Sequence, residues 1–203
     1  MKVPKALFLL FSFLIVPFIS VTAQIPDKTT ESLIKPEVEI TDDIYWQVKA
    51  YHPDVKLLRV KAVDGKGNYY DVKAIQDSDD TSLLNVKALV DGKRLPIKLI
   101  IIENDDYYPL KAITEDGMIM DVRAITEEGL KLPVKGVSKT GNIIHLRAID
   151  DNLEYYNIIS ISPFGEVNQV KGLKMMDSDV EAIINGVKIF AHVKAIKINS
   201  KEL

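Results

Sequence analysis

The chain repeats itself every 12 residues, an interval that holds one β-strand and one turn and little else. Val48-Lys49-Ala50, Val60-Lys61-Ala62 and Val72-Lys73-Ala74 set the pattern. It continues through Val86-Lys87-Ala88, Ile97-Lys98-Leu99, Leu110-Lys111-Ala112, Val122-Arg123-Ala124, Val134-Lys135-Gly136 and Leu146-Arg147-Ala148. It degrades at Ile158-Ile159-Ser160, Val170-Lys171-Gly172 and Ala182-Ile183-Ile184, then ends at Val193-Lys194-Ala195, thirteen units in all. Turn formers such as Asp64-Gly65, Asp116-Gly117 and Asn185-Gly186 separate the units.

Within a unit the residues alternate with period two, so each strand has one apolar and one polar face. Counting from the basic residue, the position three before it is large (Trp46, Leu58, Tyr70, Leu84, Met120), the one before it medium, and the one after it small. The opposite face carries the base, a polar residue or proline two before it and an apolar residue two after it, and is only partly wet. If consecutive strands run antiparallel, Ala62 faces Tyr70 and Lys61 faces Asp71, small on large and base on acid. The same register puts Lys111 opposite Asp121 and, less favourably, Arg59 opposite Lys73. A β-solenoid with one repeat per coil is the alternative; it stacks lysine on lysine, which disfavours it. Pro96, Pro109 and Pro133 share the column two before the base, where strands are expected to bend or pass between sheets. The expected fold is all-β: an antiparallel meander of about 12–13 short strands, one per repeat, in an extended, curved or folded-over sheet.

Residues 1–23 read as a signal peptide, with Lys2 and Lys5, an apolar run from Ala6 to Val21 and a Val21-Thr22-Ala23 cleavage site. The run is interrupted by Ser12 and Pro17 and is too short to span a membrane. Residues 24–44, with Pro26 and Pro36 and no periodicity, read as a linker or arm, and 45–199 as the β-repeat domain. Loss of Lys2 and Lys5 takes the formal charge from −3 to −5, unsuited to general nucleic-acid binding. The chain has no cysteine, so disulfides, cysteine ligands, a thiol nucleophile and a lipid-modified N-terminal cysteine are excluded.

No catalytic, phosphate-cradling or cofactor-binding motif is present. His52, His145 and His192 lie far apart in the array, and the acidic turns (Asp77-Ser78-Asp79-Asp80, Asp150-Asp151-Asn152) lack calcium-loop spacing. No metal or cofactor is therefore assigned. The basic column is the most regular polar feature; Lys73, Lys111 and Lys135 are its candidate ligand-facing members, toward anionic glycan or lipid head groups. Tyr45, Tyr69, Tyr107 and Tyr155 open strands and point away from the core, as a carbohydrate-stacking strip would.

Val-Lys-Ala-Ile alternating with Asp-Gly turns over residues 37–197 resembles exported Bacteroidota repeat proteins that carry a domain of unknown function. The resemblance implies location and architecture and no site residue. The expectation is a non-catalytic periplasmic or cell-surface binding or structural protein, with envelope glycan or another protein as partner. A small outer-membrane β-barrel and an enzyme with an unrecognised site are the alternatives.

Overall fold

The computed structural model describes residues 43–197 apart from 55, 104 and 106. The signal segment 1–23 and the arm 24–44, except its last two residues, lie outside the described residues. Thirteen strands follow one another: β1 (Ile44–His52), β2 (Lys56–Val63), β3 (Tyr69–Gln76), β4 (Leu83–Val90), β5 (Lys93–Ile100), β6 (Tyr108–Ile113) and β7 (Ile119–Ile125). Then come β8 (Lys131–Thr140), β9 (Ile143–Ile149), β10 (Tyr155–Ile161), β11 (Val167–Leu173), β12 (Ala182–Ile184) and β13 (Val187–Ile196). All belong to the compact unit Ile40–Leu203. β1 opens at Ile44, and Asp43 forms an ion pair with Arg94 at 2.6 Å, so the last two residues of the arm belong to the folded unit.

Every pairing is antiparallel, and consecutive strands pair except β11 with β12, so the sheet is a meander and no solenoid forms. The meander is folded over until its strands meet again. β1, β2 and β3 pair with one another in a triangle: along one edge, the start of β1 bonds β3 and its end bonds β2, while the second half of β2 bonds the start of β3. Triangles β6–β7–β8 and β9–β10–β11 repeat the arrangement. The fourth joins β4 and β5 to β13. The other edge of each strand pairs with a strand of another triangle, through β1–β10, β2–β7, β3–β4, β5–β6, β8–β9 and β11–β13. Each triangle is thus tied once to each of the other three, the connectivity of a tetrahedron. Both edges of these twelve strands are paired, which removes the unpaired backbone rows that make open sheets prone to aggregate.

The repeat's size columns explain why this closure packs. Within triangles the small residue faces the large one: Ala62 opposite Tyr70, Ala50 opposite Leu58, Ala74 opposite Trp46, Ala112 opposite Met120, Ala148 opposite Tyr156. Between triangles it faces the medium one, as in Val60 on Ala124, Val72 on Ala88 and Val134 on Ala148. The large, medium and small columns fill one contiguous core that includes Trp46, Leu84, Leu99, Ile144 and Leu146, all nearly inaccessible to water. Leu99 breaks the rule by occupying the small column, and its surroundings give way. It faces Ala191 instead of a large residue, and it packs over Gly136 and Gly172, the two glycines of the small column. A Cβ on Gly172 would stand 2.5 Å from Leu99 Cδ1 and 2.9 Å from Ile144 Cβ.

The expected pairs Lys61–Asp71 and Lys111–Asp121 form, both as direct ion pairs. Arg59 does not face Lys73, because paired strands part company at the valine: Arg59 faces Lys49 and Ile125, and Lys73 faces Gln47 and Lys87. The proline column marks this parting. The β5–β6 ladder stops at three pairs, Ile97–Leu99 against Leu110–Ala112, flanked by Pro96 and Pro109, whereas β3–β4 runs to five. Proline has no N–H to extend the ladder. The degraded unit at Ile159 forms a full strand, β10, while that at Ile183 forms only the short β12, hydrogen-bonded to β13. This hairpin lays Ala182, Ile184 and Val187 over Ile100, Ile113 and Ile189 on the outer face, and Asn185 bonds the Glu115 carbonyl at 2.6 Å.

Gly172→Ala should destabilise by about 1–3 kcal/mol through overpacking against Leu99. Combining it with Gly136→Ala and Leu99→Ala, which restores the consensus column, should cost less than the sum of the three single changes. Urea unfolding of the mutant cycle reads this coupling, and additive costs would show that the three positions do not share one packing site.

Candidate functional site

The outer face of each triangle gathers the base-column residues of its three strands around a centre, because each lies opposite the column two before the base on the next strand. In the first triangle Lys49 faces Arg59, Lys61 faces Asp71 and Lys73 faces Gln47. In the second, Lys111 faces Asp121, Arg123 faces Pro133 and Lys135 faces Pro109. The third has Arg147 on Asn157, Ile159 on Gln169 and Lys171 on His145; the fourth has Lys87 on Pro96, Lys98 on His192 and Lys194 on Asn85. Bases also meet between triangles: Lys73 faces Lys87, Lys98 faces Lys111, Lys61 faces Arg123, Lys135 faces Arg147 and Lys171 faces Lys194. The antiparallel fold therefore carries the like-charge pairs that counted against a solenoid. All the central bases are half-buried, their stems lying on the sheet.

Carboxylates neutralise these centres unequally. In the second, Asp121 binds Lys111 and Arg123, and Asp105 binds Lys135 at 3.0 Å, around a cleft of about 310 Å³. These partners hold both aspartates below the ordinary carboxylate range against the opposing effect of burial. In the first, Asp71 takes Lys61 and lies 3.7 Å from Lys73, while Lys49 and Arg59 have no carboxylate partner among the described residues. These side chains surround a cleft of about 180 Å³ floored by Val48, Val60 and Val72. Burial, then the charges of Lys73, Arg59 and Lys61, lower the Lys49 pKa.

The third and fourth centres pair lysine with histidine. Lys98 Nζ lies 2.6 Å from His192 Nδ1, and Lys171 Nζ 3.1 Å from His145 Nδ1. Burial, then Lys194 and Lys87, bring Lys98 down from 10.5 to about 8; burial and Arg147 do the same to Lys171. Burial and the adjacent lysine lower both histidines, and Glu181, 3.6 Å from His192 Nε2, partly offsets this for His192. Glu181 is buried with Lys174: it accepts the amides of Met175 and Met176, while Lys174 lies over the Phe190 ring and donates to the Phe190 carbonyl at 3.3 Å. This staple was not foreseen from sequence, although Glu181 stands in the polar column of the degraded twelfth unit.

Of the expected site residues, Lys73 lies at the first centre and Lys111 with Lys135 at the second, so the basic column divides among centres instead of forming one row. The outward tyrosines are exposed but separate: Tyr45 lies under Arg94, Tyr69 under Lys131 and Tyr107 under Lys135. His52 packs on Tyr156, away from the other histidines. Among the described residues, no three His, Asp or Glu gather as a metal site. One aspartate in each of two acidic turns serves the turn itself: Asp150 accepts the amides of Asn152 and Glu154, and Asp80 that of Ser82.

In the folded protein Lys98 and Lys171 lose their protons near pH 8, and in the unfolded chain near 10.5. Below pH 8 the cost of holding them charged is fully present; between about 8 and 10.5 only the unfolded chain keeps the protons, so stability from these sites rises with pH. Lys98→Met should therefore raise the melting temperature by about 2–4 °C at pH 7, solvent screening keeping the gain small, and the advantage should shrink by pH 10. Thermal unfolding across that range checks it; a constant or growing gap would contradict the repulsion.

No curated protein and no solved structure matches the chain. Residues 42–196, which take in every strand of the closed network, match a family of unknown function (DUF7486), and the chain belongs to that family.

Proposed function

We propose that the protein is an exported, non-catalytic binding protein of the periplasm or cell surface that holds acidic glycan through its cationic centres. The carrying observation is the pair Lys49 and Arg59, without a carboxylate partner among the described residues and lining an open cleft on a protein of net negative charge. An acidic surface repels polyanions in general, so local cationic centres select ligands whose charges fall at their spacing. Half-buried bases across the outer strand centres, with the large, medium and small columns turned inward, favour this reading over an outer-membrane barrel, whose strands present an apolar band to lipid. Export rests on Val21-Thr22-Ala23 and on the likeness to exported Bacteroidota repeat proteins.

Heparin and polygalacturonate immobilised on a biosensor should bind the mature chain with an affinity that falls as salt rises. Lys49→Glu with Arg59→Glu should weaken that binding by about tenfold or more, and Lys111→Glu with Lys135→Glu should weaken it less, since those lysines are already neutralised. Binding indifferent to the first pair, or to a neutral glycan alone, would overturn the reading. Mass spectrometry of the exported protein should find Gln24 at the N-terminus, and an envelope form retaining residues 1–23 would refute the cleavage site.

A further inference from the structure

We infer that the cleft at the centre of the β1–β2–β3 triangle is a discrete pocket for one tetrahedral oxyanion, the phosphate or sulfate monoester of a larger ligand. The inference deepens the acidic-glycan reading above by naming the group recognised.

The geometry is that of a threefold site. Each of the three strands contributes the same three positions to the cleft: a valine to the floor, a base to the wall, and the residue two before the base between the walls. A monoester has matching symmetry, with three terminal oxygens for the three walls and a bridging oxygen left over, directed outward to the rest of the ligand. A carboxylate presents two oxygens in a plane and leaves one wall unanswered. The charge suits an anionic ester, singly charged as sulfate or doubly charged as phosphate: Lys49, Arg59, Lys61 and Lys73 stand against Asp71 in the cleft, and Lys49 is crowded by the three other cations. Arginine supplies a planar fork of donors to a phosphoryl or sulfuryl group, and the lysines supply point charges.

The other centres lack one or another of these features. The second is filled electrically by Asp121 and Asp105, the third has Ile159 where a base belongs, and the fourth holds two of its three lysines on His192 and Asn85. Asp71 makes the first centre lopsided. It occupies Lys61 and draws on Lys73, so the anion sits toward Lys49 and Arg59 and is held off by the carboxylate.

Phosphate and sulfate, titrated separately into the mature protein against chloride at matched ionic strength, should each raise the melting temperature by about 4 °C when far above Kd. Lys49→Met and Arg59→Met should abolish the increment, Lys111→Met should leave it intact, and Asp71→Asn should tighten binding about fivefold by removing a like charge and releasing Lys61. A larger response to one anion assigns the ester as phosphate or sulfate. Increments equal to chloride's, or unchanged in Lys49→Met, would overturn the pocket. Heparin binding, measured on the same variants, separates the two readings: glycan binding without any phosphate or sulfate increment sinks the pocket alone, and the converse sinks the glycan reading alone.

Discussion

The structure depends on one packing constraint: a small side chain must stand opposite a large or medium one wherever two strands meet on the core face. Ala62 under Tyr70 and Ala124 under Val60 are the same rule applied at the two kinds of junction. Each strand meets a partner of its own triangle and a partner of another, so its small residue is used twice. That double use is why the small column tolerates so little variation, and why a leucine at position 99 has two glycines and an alanine around it. Interiors packed to crystal density transmit such a change to every neighbour that shares the space.

The charge pattern of the surface follows from the same constraint. Once the medium residue of one strand is fixed opposite the small residue of the next, the bases beside them are fixed opposite one another, whatever the Coulomb cost. Lys73 on Lys87 and Lys171 on Lys194 are thus imposed by the core beneath them. Each such surface repulsion is worth on the order of 1 kcal/mol or less, whereas burying one large apolar side chain contributes roughly 1.5–3 kcal/mol, so packing decides. The protein then manages the repulsion locally: by aspartate at the second centre, by lysines that release a proton easily at the third and fourth, and by an open cleft at the first.

Strands, turns and local register were legible in the sequence because they rest on period and on neighbours 10 residues apart, as in Lys61 with Asp71 and Lys111 with Asp121. The closure was not, since every repeat offers the same columns and nothing in β1 distinguishes β10 from any other strand as its distant partner. One trace of it was visible: the shared column of Pro96, Pro109 and Pro133 marks where a strand exchanges one partner for another. The division of the bases among centres was hidden with the closure, because Lys49, Arg59 and Lys73 meet only when the triangle forms. Lys174 and Glu181 escaped notice because they lie where the repeat has lost its pattern, and their burial is set by a loop that the period does not describe.

Three of the triangles are built from neighbouring strands, but the fourth holds β4 and β5 open until β13, about a hundred residues later, arrives to complete it. Because β13 also pairs with β11, it joins β4 and β5 to the late part of the chain, as β1–β10 does for the first triangle. A ribosome delivering this chain from its N-terminus releases segments able to form local hairpins yet unable to complete the fourth triangle, since loop closure of that length is slow and brings no reward before its final contact. The order of strands thus works as a timer: the fourth triangle, and with it the native topology, is complete only after β13 has been made.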